Sequence, residues 1–508
     1  MTLAKTSNRK SEFRRPRSAA AERLTITLTG ATGRPLFMQI RERIRDLIAG
    51  GTLSPGMRLP PVRTLAGQLG VNQATVAKAY RELVTSNLVE GRRGAGSLVR
   101  SFEQQAEPTT MPDPNSQPLL AERLFELARA PGVIAFSSNY PAPEQTCVGE
   151  FRDCLAIAAN EKLEACFHYD PPLGRPELRK QIQYYLKNCG TDADHDNIMV
   201  TSGAQQAIDL AVRATVKPGT AVVIEQPAYY GIINALVGAR ARIIEVPMQP
   251  DGMDLEILER HLVRDQVKLI YTNPTFQNPT GITMSREKRV ALLALARRHR
   301  VAILEDDHSH ELRFTGQTVP AIRALAGDDD IVLYARSFGK TFLPGMRLGF
   351  LVMPDALRHR LLAAKASADL HCNSLIQEAA ALYLSRGSYT DLLARMCAKY
   401  GQRQQLLSET LISGMPSGTV VSLPDGGLSL WLTLPEGADV SELYYRAVRR
   451  GVAFVAGHVF YASPSHPRSL RISFGQNRAE ELEEGVARLC YVVKDLLGRR
   501  SNRTLVMM

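Results

Sequence analysis

Between Ser101 and Pro118 the chain turns polar and carries Pro108, Pro112, Pro114 and Pro118 among Gln, Glu, Thr and Ser. Such a stretch buries too little apolar surface to offset the ordering of its backbone, so it reads as an extended linker. It splits the 508 residues into a short head and a long body, and that length already exceeds one ordinary core. Charge follows the same division. Residues 1–100 hold 18 Lys+Arg and 6 Asp+Glu, or +12; the whole chain carries +11, so residues 101–508 sum to 11 − 12 = −1. A localised basic head is the electrostatic footprint of polyphosphate binding.

The expected organisation is a basic flexible tail at 1–34, a head at 35–100, a linker at 101–119, a body at 120–495 and a C-terminal tail at 496–508. A content of 44% hydrophobic and 22% charged residues excludes disordered and fibrous classes. Seven cysteines are scattered without a CxxC pair, which fits reduced thiols better than a disulfide frame. No apolar run reaches the length of a membrane span, and Met1 to Ala21 has no secretory apolar region. A cytoplasmic protein with no membrane partner is expected.

In the head, Leu36, Ile40, Ile44 and Leu47 recur at helical spacing and stop at Gly50-Gly51. Pro60-Pro61 opens a short helix, Val62 to Leu69, closed by Gly70. Asn72 can cap a third helix with an apolar stripe of Val76, Tyr80 and Leu83. Helix, tight turn and capped helix make a helix-turn-helix, whose second helix enters the major groove of DNA. Leu88-Val89-Glu90 and Ser97-Leu98-Val99 then flank Gly91-Arg92-Arg93-Gly94-Ala95-Gly96 as a two-stranded wing with a basic tip.

Leu59-Pro60-Pro61-Val62-Arg63, Leu69-Gly70-Val71, Thr75-Val76, Ala79-Tyr80 and Gly94-Ala95-Gly96 fall in the order of the GntR-type winged helix, which residues 35–100 resemble. The resemblance implies contacts to double-stranded DNA from Arg63, Asn72, Gln73, Thr75, Lys78, Arg92 and Arg93. Arg63, Arg92 and Arg93 suit phosphates, which position but do not specify. Gln73 stands where the family usually has Arg. Gln reads adenine and Arg favours guanine, so either the operator differs or the contact is lost.

The body repeats short apolar run, Gly or Pro, then helical pattern, as α/β layers do; Ala221–Glu225 and Val301–Glu305 are its clearest buried strands. Several strand ends carry the groups that pyridoxal 5′-phosphate needs. Lys340, in Ser337-Phe338-Gly339-Lys340-Thr341, offers an amine to hold the aldehyde as a Schiff base. Asp306 offers a carboxylate to the pyridinium nitrogen. In Thr201-Ser202-Gly203-Ala204-Gln205, glycine turns the chain into a helix whose first amides face a dianion, with Gln205 beside them. Tyr229 offers a ring to stack on, and Asn278, in Asn273-Pro274-Thr275-Phe276-Gln277-Asn278-Pro279-Thr280-Gly281, a donor to the ring oxygen. All sit where open α/β sheets bind ligands. Asp307-His308-Ser309-His310 contains ligand-type side chains, but it lies within this motif and no metal is expected.

Residues 120–495 resemble the fold-type I aminotransferases, in the branch fused to GntR heads and called MocR-type regulators. That resemblance implies an α/β fold. It consists of a winged helix-turn-helix, a mixed, mostly parallel sheet with helices on both faces, and a small C-terminal α+β subdomain. It makes Lys340 the Schiff-base lysine, Asp306 the pyridinium partner, Asn278 the O3′ donor and Tyr229 the stacking ring. Ser337, Arg347 and the amides of Gly203 and Ala204 become phosphate ligands. Arg471, in Leu470-Arg471-Ile472-Ser473-Phe474, grips an α-carboxylate as a bidentate fork. Tyr169-Asp170-Pro171-Pro172-Leu173-Gly174 and Asp425-Gly426-Gly427 are further family landmarks.

Two positions depart from the pattern. His308 replaces a Tyr; it either donates the same bond, with a pKa near neutrality that makes the cofactor pH-sensitive, or points away. Gly339 replaces a frequent Ser, removing one phosphate hydroxyl.

Two functions remain open. One is a regulator that senses an amine, an amino acid or the cofactor itself through exchange at Lys340. The other is an active aminotransferase with an accessory head. The complete head favours the regulator. The resemblance also implies a head-to-tail homodimer.

Overall fold

The computed structural model describes residues 26, 35–49, 53, 56–85, 88–92, 96–99, 126–130, 132–327, 331–463, 465 and 467–506; the side chains of 46, 49, 85, 91, 92 and 499–506 fall outside that description. The chain forms two units, within Met1–Met111 and Pro112–Met508.

The head folds on three short helices, Leu36–Ala49, Val62–Leu69 and Gln73–Thr85. The second starts after Pro61 and ends at Gly70 in the left-handed conformation (φ 63°), a residue without a Cβ where one would be strained. Asn72 Oδ1 accepts from the Ala74 amide at 2.8 Å, fixing the entry of the third helix. Ile40, Ile44, Val76, Tyr80 and Leu83 are buried together, whereas Leu36 at the start of the first stripe is 41% exposed. Ile26, within the segment expected as a tail, packs into this core. Tyr80 donates its hydroxyl to the Pro60 carbonyl at 2.8 Å, so its polar end is satisfied inside the core. The wing strands Val89–Arg92 and Gly96–Val99 pair antiparallel, Arg92 opposite Gly96; Arg93, Gly94 and Ala95 at the tip lie outside the described residues.

In the larger unit eight strands form one sheet. Its order is Ile198–Thr201, Gly349–Val352, Val332–Ser337, Ala302–Asp307, Leu269–Thr272, Ala221–Gln226, Arg242–Gln249 and Gly252–Met253. Pairing is antiparallel on both sides of Gly349–Val352 and at the Gly252–Met253 edge, and parallel across the middle. The middle strands are buried along nearly their whole length, as a sheet covered on both faces requires. This is the mixed, mostly parallel sheet expected. A smaller antiparallel sheet (Val420–Val421, Ser429–Thr433, Ser469–Ser473, Val455–Ala456) with helices Val440–Arg449 and Ala479–Val506 forms the C-terminal subdomain. The final helix continues past residue 495. Ile134–Ala135 pairs in parallel with Val452–Ala453, which brings the loop after residue 135 to the mouth of the large sheet. No helix among the described residues is long and apolar enough to cross a membrane.

The antiparallel strand Gly349–Val352 allows no side chain at its first residue. A Cβ on Gly349 would lie 2.5 Å from the Arg336 carbonyl oxygen and 2.9 Å from the Gly203 backbone, neither able to yield. Gly349→Ala is expected to cost about 1–3 kcal/mol by overpacking, read as a lowered denaturant midpoint.

Candidate cofactor and effector site

Strand ends converge on a cavity of about 500 Å³, within the usual range for a small-molecule site. Ala204, Gln205, Tyr229, Asn278, Asp306, His308, Ser337, Lys340, Arg347 and Arg471 all line it. Gly203 stands just behind, capping the helix Ala204–Thr215.

Asp306 is the last residue but one of the strand Ala302–Asp307 and is 4% exposed. Its Oδ2 accepts from the Tyr271 hydroxyl at 2.8 Å, while its Oδ1 is buried without a partner. Burial pushes the carboxyl up to about 7, opposed by the Tyr271 hydrogen bond and reinforced by the Asp307 and Glu225 charges. A donor N–H bearing positive charge is what this oxygen lacks.

Lys340 lies in the loop after Val332–Ser337 and donates to the Asn139 carbonyl. Burial lowers its ammonium to about 7; Arg471 and Arg347 add to the effect and Asp306 opposes it. Much of the amine is therefore neutral, and nucleophilic, near pH 7.

The loop carrying Asn278 is held from two sides. Glu225, fully buried, accepts from Thr272 Oγ1 at 2.6 Å, the Asn273 amide at 2.9 Å and Gln277 Nε2 at 3.0 Å. Behind it, buried Arg289 donates to the Pro274 carbonyl at 2.8 Å and Thr275 Oγ1 at 2.9 Å. Asn278 Oδ1 then accepts from Arg471 Nη1 at 2.8 Å, which turns the amide nitrogen into the free donor.

Arg471 is 2% exposed, donates also to the Ser137 carbonyl at 3.2 Å and lies 5.3 Å from the Phe460 ring centroid. Its Nε is buried without a partner, and no carboxylate pairs with it among the described residues. Burial lowers it to about 10, so it remains a cation.

At the other end of the cavity Gly203 adopts φ 81°, and a Cβ there would meet Arg347 Nη2 at 2.8 Å. The bare Cα lets the guanidinium lie against the helix N-terminus, where Nη2 donates to the Ser202 carbonyl at 3.0 Å. Ser337 Oγ accepts from the Gly339 amide at 2.9 Å, leaving its proton to give. Amides, hydroxyl and guanidinium there form an anion cup.

His308 faces the cavity, its Nδ1 3.2 Å from Asn273 Nδ2. Burial, with Lys340 nearby, lowers its ring to about 3. The expected titration near neutrality is thus corrected: desolvation keeps the imidazole neutral.

Sequence reasoning missed Tyr271, one strand away from Asp306, and the segment Ser137–Tyr140, supplied by the parallel bridge to Val452–Ala453. It also missed Lys365, fully buried, whose Nζ donates to Gln206 Oε1 at 3.0 Å and pairs with Asp369 at 2.7 Å. Gln206 Oε1 in turn accepts from the Ser202 amide at 2.7 Å, so this lysine braces the anion cup from behind. Only the apolar flanks of Lys365 mark it in the sequence.

In the head, Gln73 and Arg63 are exposed at helix starts, Asn72 is a cap and Thr75 is half-buried. Lys78 Nζ sits 3.8 Å from the Phe37 ring centroid, a cation–π contact that places its charge beside the first helix. Arg93 lies outside the described residues, as does the side chain of Arg92.

Residues 132–489 match the family model "Aminotransferase class I and II", and residues 36–99 match "Bacterial regulatory proteins, gntR family". A probable rhizopine catabolism regulatory protein, MocR, from Rhizobium meliloti is 30% identical over 85% of this chain and 88% of its own length. The chain is a MocR-type member of the class I and II aminotransferases. A 2-aminoadipate transaminase from Thermus thermophilus is 33% identical over 74% of this chain and 93% of its own. The crystal structure of a Pyrococcus horikoshii kynurenine aminotransferase in complex with PMP superposes with a TM-score of 0.71. It is 31% identical and covers 78% of this chain and 96% of that one. The family is dependent on pyridoxal 5′-phosphate. The orphaned Asp306 oxygen and the cup at Gly203 fit that group.

Because folded His308 holds no proton near pH 6 while an unfolded one (6.5) does, its contribution to stability is present above about 6.5 and shrinks as pH falls toward about 3. The cofactor-free His308→Asn protein should lose stability less steeply from pH 6.5 to about 5, by up to about 1.4 kcal/mol per pH unit, measured by urea titration.

Proposed function

We propose that this DNA-binding regulator senses an amine or amino acid in the cavity and passes its presence to operator binding by the winged helix. The observation that carries the effector reading is Arg471, a buried cation with no carboxylate partner among the described residues, in the same cavity as Lys340. An anion receptor beside a neutral amine selects a ligand bearing a carboxylate and an amino group.

When bound, the cofactor supplies an aldehyde that condenses reversibly with amines. Asp306 Oδ1 would accept the ring N–H, and Asn278 and His308 would face the ring oxygen. Tyr229 would lie against the ring. The Gly203 and Ala204 amides, Gln205, Ser337 and Arg347 would hold the phosphate, with Lys365 fixing the turn behind them. Lys340 brings the amine, kept deprotonated by its desolvated setting, and Arg471 orients the incoming carboxylate. Because a ligand shifts an equilibrium only through different affinity for two states, the effector must favour one arrangement of the chain. A head-to-tail homodimer in the cytoplasm, with paired heads reading paired half-sites, is the assembly that serves this reading.

A second reading has its own support. The same Lys340, Asp306 and Arg471 constellation suits transamination, so the chain can retain that activity alongside regulation. Two measurements separate them. The protein loaded with pyridoxal 5′-phosphate should show a visible absorption band that amines or amino acids alter, and a salt-sensitive shift of DNA upstream of its own gene. Steady turnover of an amino acid with a keto acid, without specific DNA binding, would sink the regulator.

Lys340→Ala should remove the visible band and the effector response, measured by absorbance and mobility shift. Arg471→Ala should weaken carboxylate-bearing effectors by about 10–100-fold, the worth of a charged hydrogen bond, while sparing simple amines. In the head, Gln73→Ala should cost about 1–3 kcal/mol at one base pair of the operator, and Arg63→Ala should reduce the salt slope of binding by about 1 for all sequences, both measured by fluorescence titration.

A further inference from the structure

One residue beyond Asp306, Asp307 turns to the opposite face of the sheet, as strand alternation requires. A second cavity of about 560 Å³ opens there, with Cys189, Asp307, His310, Glu311 and Arg313 in its wall and none of them in the cofactor cavity. His310 Nδ1 lies 2.9 Å from Asp307 Oδ2 as an ion pair, and that oxygen accepts a hydrogen bond from the Tyr334 hydroxyl at 2.6 Å. Asp307 is 3% exposed, and its Oδ1 has no partner. Behind them buried Arg336 pairs with Glu311. Burial and the Arg336 charge oppose a proton on His310, but Asp307 and Glu311 outweigh them and raise it to about 10. The ring is an imidazolium.

Cys189 follows the last residue of the helix Pro176–Asn188 and is an exposed residue. It shares the wall of this cavity with His310, and the His310 and Arg336 charges act on its sulfur. The helix C-terminus disfavours a negative charge at this place. Desolvation opposes it as well, yet the His310 hydrogen bond and the Arg336 and His310 charges prevail and lower the thiol. Burial raises Cys147, Cys154, Cys166, Cys397 and Cys490 instead. Cys189, the His310 imidazolium and the buried Asp307 carboxylate thus line one cavity, an arrangement that stabilises a thiolate nucleophile.

We propose that Cys189 is a reactive thiolate held by the His310–Asp307 pair, and that a small hydroperoxide entering this second cavity oxidises it. The sulfur attacks the terminal oxygen of the peroxide. An S–O bond forms, the O–O bond breaks, and sulfur loses two electrons to become a sulfenic acid. The departing alkoxide or hydroxide takes the proton of His310 and leaves as alcohol or water. His310 then regains a proton from solvent, because Asp307 and Glu311 hold the ring charged, so the lasting change is the loss of the thiolate's negative charge.

The test is peptide mass spectrometry on the full-length, cofactor-loaded protein after limiting iodoacetamide near neutral pH, and after hydrogen peroxide with a dione trap for sulfenic acid. Cys189 should alkylate about tenfold faster than the partly exposed Cys166 and Cys397, with the trapped adduct found at Cys189. His310→Gln should remove that advantage while circular dichroism stays unchanged. Should that variant unfold, the wild-type alkylation rate against pH decides: Cys189 must reach half its maximal rate at lower pH than Cys166. Equal rates at Cys189 and Cys166, or a Cys189 rate unchanged in folded His310→Gln, would overturn the proposal. The readouts involve neither DNA nor amines, so their failure is separate from failure of the regulator reading.

Discussion

A carboxylate in a desolvated pocket with one oxygen satisfied and one orphaned is costly, and Asp306 is in that position. Tyr271 supplies one hydrogen bond; Arg347 and Arg471 contribute positive charge around the same cavity, beside the desolvated Lys340 amine, without closing an ion pair on Oδ1. The fold keeps that oxygen open by its register. Asp306 sits at the C-terminal end of a central parallel strand, between neighbours that end at Thr272 and Ser337. The loops leaving these strand ends line the cavity around Asp306, so the groups that can meet a ligand gather there. What completes the site must bring a cationic N–H to Asp306, an anion to the Gly203 cup and an electrophile to Lys340. A phosphorylated pyridine aldehyde carries all three.

Much of this was legible in the sequence because each element is local. The Gly203 turn, the Asn278 loop and the Lys340 run are short motifs whose residue types announce their role, and each follows a strand end in the fold. The parts that escaped are non-local. Tyr271 meets Asp306 only through the pairing of two strands, and Asn139 reaches Lys340 across 201 residues. Lys365 sits in a helix with no polar stripe to announce an inward-facing charge, and its partners Gln206 and Asp369 come from two elements. His308 was misjudged for a related reason. Residue type suggests titration near neutrality, but desolvation by the folded surroundings, which no window of sequence contains, moves the ring far below it.

Electrostatics explain why the cavity favours doubly anionic company. Arg347 at one end and Arg471 at the other carry positive charge toward a space that already depresses Lys340. The mutual repulsion of three basic groups is relieved when anions enter: a phosphate near Arg347 and a carboxylate near Arg471. The same entry returns a proton to Lys340 more readily, since the charges that disfavoured it become compensated. An anion beside Arg471 and the proton state of the lysine are therefore linked through space, without any contact between them.

The cavity alone does not distinguish a sensor from a catalyst, because both need an amine-reactive lysine and a carboxylate receptor. The head does. Its core is closed by residues from all three helices and both wing strands, its third helix is capped by Asn72, and the buried Tyr80 hydroxyl within that core is satisfied by Pro60. An unused head would accumulate substitutions that leave polar groups unpaired or open voids, each costing about 1–3 kcal/mol in a unit this small. A packed, capped and satisfied head presenting Gln73 and Arg63 to solvent is maintained for binding. The proposed role of the cofactor cavity in the same chain is to supply its input.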